Sequence, residues 1–424
     1  SVASGVDSIA IGYISSATNT NAAAIGTNAT ANGINSMAFG ANSRATGSNS
    51  TAIGAQSFAD KANSFVIGPN TTACGVNAGA IGASANANGE SSLAIGVQSF
   101  AKETSSLALG TNASSIGVNS TAIAVNASAT GANSMAIGYF STSNGINSAA
   151  LSVKANASGN NSVALGVFAN AQGGNALAFG TKAVAVGINS TAISSSSSAT
   201  GNNSIAIGVD SQASKTNAQA FGVGAKATGI NAVAIAADST ASGSNSLAIG
   251  IDSVSSGTNS VAIAANASAT AGNALSFGVD AQATALNTVA IGTQAISNQT
   301  GALSFGANAR ATANYTMAFG VGANASANNA MAIGHAAESL SANSIAVGLE
   351  AQASGTMSMA LGLKSQALET ETIAIGAYST ASKTNATAFG TNANALAVNS
   401  MAMGTNSLAS TTDAFAAGLE AKAT

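Results

Sequence analysis

Apolar and polar positions along the chain recur every 14 residues. Gly12, Gly26, Gly40, Gly54, Gly68, Gly82, Gly96 and Gly110 mark the period, and the series continues to Gly418 with no insertion or deletion. With Ser8 as column 1, a typical unit is SMAFGANSRATGSN, residues 36–49. Columns 1, 3, 8 and 10 are Ser or Ala almost throughout, and columns 9 and 11 are mostly Ser, Thr, Asn or Gln. Column 4 is Ile, Leu, Phe, Val or Met in every unit except at Ala417, and column 2 is mostly apolar. Alternation with period two predicts two short strands per unit, over columns 1–4 and 8–11. Gly-rich columns 5–7 and Asn/Gly-rich columns 12–14 read as the turns between them. Two strands and two turns in 14 residues make one coil of a very narrow parallel β-solenoid. Some 30 such coils, stacked about 4.8 Å apart, would span roughly 145 Å.

Side-chain size then assigns the faces. The small residues of columns 1, 3, 8 and 10 point into the coil, where a thin interior holds nothing larger. Columns 9 and 11 face water. Column 4 is displaced by one from column 3, so it points outward, and with column 2 it forms an apolar stripe. Its members are Ile11, Ile25, Phe39, Ile53, Ile67, Ile81, Ile95, Leu109, Ile123, Ile137, Leu151, Leu165, Phe179, Ile193, Ile207, Phe221, Ile235, Ile249, Ile263, Phe277, Ile291, Phe305, Phe319, Ile333, Val347, Leu361, Ile375, Phe389 and Met403. At a width of about 10 Å the stripe would cover roughly 1,400 Å², several times the patch that a soluble monomer tolerates. The expectation is an oligomer of this chain along its length, in a number the columns do not fix.

Composition narrows the class further. Only 6% of the 424 residues are charged, against 46% apolar, so ordinary globular surfaces and a disordered chain are both unsuitable readings. All charged residues fall in columns 7, 9 and 11–14. A net charge of −3 gives no case for nucleic acid. One cysteine excludes a disulfide framework within the chain, and no 18-residue apolar run provides a membrane segment. Residues 1–424 read as a single repeat array. It begins and ends inside coils, so it reads as a segment of a longer chain.

Two columns vary in ways that bear on the turns. At column 5 glycine is replaced only by Ala124, Ser152, Ser194, Ala236 and Ala264, which implies close backbone approach as much as a positive φ. Column 12 is usually Gly up to Gly257 and rarely afterwards, which reads either as two interchangeable turn geometries or as drift among duplicated repeats. Asn dominates column 14, where it would either hydrogen-bond along the stack or close an Asx-turn.

Candidate chemistry is sparse. The sole histidine, His335, stands in a turn with Glu338 as its nearest carboxylate in sequence. The pair reads as a solvated turn rather than a catalytic couple, so no enzymatic role and no cofactor is expected. Cys74 faces water in column 11. Asp238 and Asp252, in column 7 of adjacent coils, are a weak candidate for a cation. Threonine never fills columns 9 and 11 of one unit together, which falls short of an ice-matching lattice. Phe58, Phe100, Val184 and Val186 place large apolar groups on the polar outer strand and are candidates for ligand or lateral contacts.

The SxAIG core, as in Ser50-Thr51-Ala52-Ile53-Gly54 and Ser134-Met135-Ala136-Ile137-Gly138, resembles the YadA-like head repeat of trimeric autotransporter adhesins. The run Ala29-Thr30-Ala31-Asn32-Gly33-Ile34-Asn35-Ser36 is similar to the same repeat, and the resemblance covers the whole chain. It implies a left-handed parallel β-roll with three chains side by side, so that the partners would be two further copies of this chain. It also implies an extracellular, cell-surface fibre that adheres to matrix, cells or other surfaces, anchored in a bacterial outer membrane through a part not in this chain. A filament, sheath or phage-fibre subunit without a dedicated receptor is the alternative, since it needs the same core.

Overall fold

The computed structural model describes residues 1–424, and every regular element in it is a β-strand. The chain divides into two compact units, Ser1–Ala213 and Ser214–Thr424. In the first unit, three-residue strands recur from Ile9–Ile11 to Ile205–Ile207, alternating with two-residue strands from Val2–Ala3 to Gln212–Ala213. The second unit repeats the pattern from Gln219–Phe221 to Phe415–Ala417 and from Lys226–Ala227 to Lys422–Ala423. Each strand pairs in parallel with its counterpart 14 residues on, as Thr121–Ile123 does with Met135–Ile137 and Val289–Ile291 with Leu303–Phe305. Each unit is thus a parallel β-solenoid of 14-residue coils.

The strands occupy columns 2–4 and 9–10, shorter than the expected 1–4 and 8–11. The reason is that the amides of columns 1 and 8 serve the turns. Ser36 N–H donates to Gly33 O and Ser43 N–H to Gly40 O, both at 3.3 Å, closing the chain across three residues. Serine at these columns adds a second bond to the same carbonyl, for example Ser36 Oγ to Gly33 O at 2.7 Å and Ser43 Oγ to Gly40 O at 2.8 Å. A hydroxyl that caps its own turn is satisfied without widening the coil, which explains serine beside alanine in a fully buried interior. The interior itself is almost all alanine and serine, with Val66, Thr71, Thr288, Thr316 and Thr372 its largest side chains.

Turn conformation accounts for columns 7 and 14. Nearly every residue there has φ close to +55°, including Asn35, Asn42, Asn49 and Asn133. That is the left-handed region, which Asn and Asp tolerate better than other side chains. Column 14 also forms side-chain ladders. In the first unit Asn119, Asn133, Asn147, Asn161, Asn175, Asn189 donate in turn, Nδ2 to the Oδ1 of the next coil, at 2.9–3.1 Å. The second unit carries a similar run from Asn217 to Asn287. Of the two roles open to this column, the coordinates give the ladder.

The glycines of columns 5 and 12 answer to different constraints. At column 5 φ is positive and a Cβ on Gly292 would lie 2.4 Å from Gly306 O. At column 12 φ is ordinary, but a Cβ on Gly33 would lie 1.9 Å from Gly47 O. Some of the column 12 glycines also make an extra bond. Gly33, Gly131 and Gly229 N–H groups approach the column 10 carbonyl of the next coil at 3.4–3.5 Å, a contact that no larger residue at this column makes.

Candidate functional site

Three-residue strands with a filled inner face leave columns 2 and 4 outside. Ala122 and Ala136 are fully buried between exposed or half-buried neighbours Thr121, Ile123, Met135 and Ile137. Ile67, Phe179, Phe277, Phe319 and Phe389 expose between 44% and 53% of their surface. Parallel pairing in register stacks them, so Ile123 sits on Ile137 and Phe305 on Phe319. The two phenylalanine rings lie 5.6 Å apart. Neighbouring coils also accommodate one another, since Phe65 leans over Gly79 and its ring fills the space a Cβ there would take. Within each unit the expected column 4 side chains line one face in an unbroken apolar row.

The turns that flank these strands carry further exposed apolar side chains. Column 6, in the turn that follows column 4, presents exposed Val97, Val125, Val209, Ile251, Val321 and Leu349. Column 13, in the turn that precedes column 2, presents exposed Ile34, Ile146, Ile188, Ile230 and Leu286. Turn residues have no period-two direction, so a strand argument passes over them. A count of branched aliphatics at columns 6 and 13 is the signal that identifies them.

A second departure occurs in the turns of the first unit. Phe140 and Phe168 stand in column 7 with φ of 55° and 58°, where the repeat ordinarily places Asn or another polar residue. Both are about half exposed. Tyr139 packs edge-on against Phe140 at 4.5 Å, and Lys154 Nζ lies 5.1 Å from the centre of the Phe168 ring. Aromatic side chains in the left-handed region carry backbone strain, as they do at Tyr315 and Tyr378 with φ of 56° and 58°.

The remaining candidates are dispersed. Phe58 and Val186 are exposed on the outer side, and Phe100 and Val184 are half-buried there, with only Val184 and Val186 sharing a coil. His335 is exposed, and no ion pair joins it to the half-buried Glu338. Asp238 and Asp252 are both exposed, and Asp238 Oδ1 leans over Gly224 of the preceding coil, away from Asp252. No three metal-ligating side chains converge anywhere in the chain. Cys74 is half-buried, and its thiol is pushed above the ordinary range by burial and by the nearby Asp60 carboxylate, with Lys61 opposing. No helix is long and apolar enough to cross a membrane.

Comparison with known proteins agrees with this geometry. The family model described as YadA head domain repeat (2 copies) matches successive segments from residues 3–29 to 395–421. No curated protein sequence matches the chain. Among solved structures, the crystal structure of the collagen-binding domain of Yersinia adhesin YadA is similar at 22% identity. The match covers 45% of this chain and 82% of that one, with a TM-score of 0.20. With the 14-residue coil, its alanine interior and its outward Ile/Phe row in place, and the family model matched along nearly all of its length, the chain belongs to the YadA head repeat family and is an adhesin-like head.

Proposed function

We propose that residues 1–424 form one repeat array that assembles side by side with two further copies of itself, as a left-handed β-roll, and acts as an adhesive fibre segment at a cell surface. The observation that carries this reading is the outward apolar row. A solenoid whose interior is alanine and serine, with a few threonines and one valine, buries its Ile, Leu, Phe and Met side chains nowhere inside, so the row needs a cover. Covering the exposed half of one Ile or Phe is worth about 1 kcal/mol, and the row has one such residue per coil. The exposed aliphatic side chains of columns 6 and 13, in the flanking turns, are further candidates for the same cover. Three copies is the number that the family suggests.

The polar outer strand then remains free for a ligand, and its repetition multiplies weak contacts by avidity. Matrix components, collagen among them, are the first ligands to test, because the similar Yersinia domain is described as collagen-binding. Anchoring in a bacterial outer membrane through another part of the parent chain belongs to the same reading. Light scattering on the purified chain across a concentration series should give a stable species of three chains. Ile123→Asp, Ile137→Asp and Leu151→Asp combined should abolish it while the coil signature in circular dichroism persists. An unchanged three-chain mass in that variant would refute the interface. Open-ended growth without binding to matrix or cells would favour the filament subunit instead.

A further inference from the structure

We propose that the outer corner of the second unit, between columns 7 and 9 of three successive coils, is a binding site for a carboxylated saccharide. An open depression of about 310 Å³ lies there, lined by Asp280, Gln282, Gln294, Ile296, Asn308 and Arg310. The column 9 side chains elsewhere are mostly Ser, Thr, Asn or Gln, and here Ile296 and Arg310 follow Gln282 in successive coils and raise a wall beside the turn. Gln294 and Asn308 enter from the turn with φ of 58°, and Asp280 stands at the far end with φ of 57°.

The arginine points to the ligand. The chain has two arginines, Arg44 and Arg310, and both occupy column 9. Arg44 Nε lies 3.4 Å from Asp60 Oδ1, in column 11 of the next coil. The corresponding residue for Arg310 is Ser326, and no carboxylate lies within ion-pair distance of its guanidinium. A planar fork of donors without an anion suits a carboxylate. Two coils away, about 10 Å along the stack, Asp280 accepts a 3.0 Å bond from Asn266 on Oδ1 and keeps its second oxygen for a donor.

Between the two charges stand three amides, each both donor and acceptor, and one aliphatic side chain, Ile296. Vicinal hydroxyls pair with amides and carboxylates, and the C–H face of a sugar ring lies against an aliphatic group. A peptide fits less well. The backbone bonds of this strand run from coil to coil, as in Gln282 N–H to Ala295 O and Ile296 N–H to Ala309 O, so no free edge remains to pair with peptide amides. The site therefore takes two or so sugar rings with a carboxylate at the Arg310 end.

This proposal deepens the adhesive reading by naming a ligand class, and it lies on the strand opposite the apolar row. The test is calorimetric titration of the full chain with a hyaluronan hexasaccharide, with the oligomeric mass measured on the same sample. Saturable binding is expected for the wild type and for Arg44→Gln. Arg310→Gln should weaken it about tenfold or more, and Gln294→Ala should weaken it without a change of charge. An uncharged chitin hexasaccharide should not bind. Absence of saturable binding, equal affinity in Arg310→Gln, or equal affinity for the uncharged sugar would overturn the proposal. A hexaglutamate peptide that bound as tightly through Arg310 would reassign the site to acidic protein segments. Binding by a sample that forms no three-chain species would sink the assembly reading and leave this one standing.

Discussion

Column 5 offers a perturbation whose sign is unusual, because replacing a natural residue with glycine should stabilise the protein. The glycines at this column have φ between 119° and 141°. Ala124, Ser152, Ser194, Ala236 and Ala264 hold the same turn at 113°, 125°, 112°, 105° and 109°, so most of them pull the backbone back from the glycine range. The direct cause is the stack itself: a Cβ built on Gly250 would meet Ala264 O and C at 2.4 Å. A residue held there with a side chain stores about 1–3 kcal/mol. Glycine would release that strain and lose about 0.5–1 kcal/mol through the greater freedom of its unfolded chain. Ala264→Gly should therefore stabilise its coil by roughly 0.5–2 kcal/mol, and Gly292→Ala should do the reverse.

Global unfolding is a poor gauge, because each coil touches only its neighbours and long arrays lose cooperativity. Amide hydrogen exchange over residues 250–278 is the better assay, at fixed protein concentration so that assembly does not vary. The amides to follow are Ala264, which donates to Ile249 O at 2.7 Å, and Gly278, which donates to Ile263 O at 3.0 Å. Their exchange should slow by about 2- to 30-fold in Ala264→Gly. Unchanged or faster exchange would show that the turn relaxes around a side chain without cost, and the strain argument would fall.

Two further outcomes follow from charge and burial. A thiol raised above its ordinary range carries less thiolate at a given pH, so Cys74 should alkylate with iodoacetamide more slowly than a free cysteine at pH 8, and Asp60→Asn should accelerate it; equal rates for the variant would remove Asp60 as a cause. The Glu369 carboxyl is held below its ordinary range by the hydrogen bond from Lys383 at 2.8 Å and by Thr384, so its contribution is present above the unfolded carboxyl range and lost as pH falls through the lowered folded value. Exchange at Thr384 N–H, which donates to Glu369 Oε2, should lose protection over that acidic interval in the wild type, and Glu369→Gln should flatten the response.

Much of this architecture is legible in the residues because the coil leaves few choices. A thin interior admits Ala and Ser and only rarely Thr or Val, so columns 1, 3, 8 and 10 identify themselves by size, and column 4 is then forced outward. The strand limits were less legible, since Ser36 and Ser43 use their amides to close turns rather than to extend the ladder. The flanks formed by Ile146, Ile188, Val125 and Val209 were hidden for a related reason. They sit in turns, where direction depends on φ and not on alternation. Phe140 and Phe168 were the hardest case: the left-handed backbone at column 7 is visible in sequence only as a preference for Asn and other polar residues, and these two, with Ile14 and Tyr378, break it. The depression at Arg310 arises from side chains two coils apart, which no single repeat contains.

Apart from the turn-closing amides of columns 1 and 8, the backbone bonds run along the stack, through the turns as well as the strands, as Asn28 N–H to Tyr13 O and Asn35 N–H to Thr20 O illustrate. A pull on one end of the chain therefore loads the outermost coil first and leaves those behind it shielded. Each failure would pay out one 14-residue turn, extending the tether by about 45 Å before the next coil takes the force. Under a sudden load a solenoid of this kind behaves like thread leaving a spool, dissipating work in many small steps where a compact domain would rupture once.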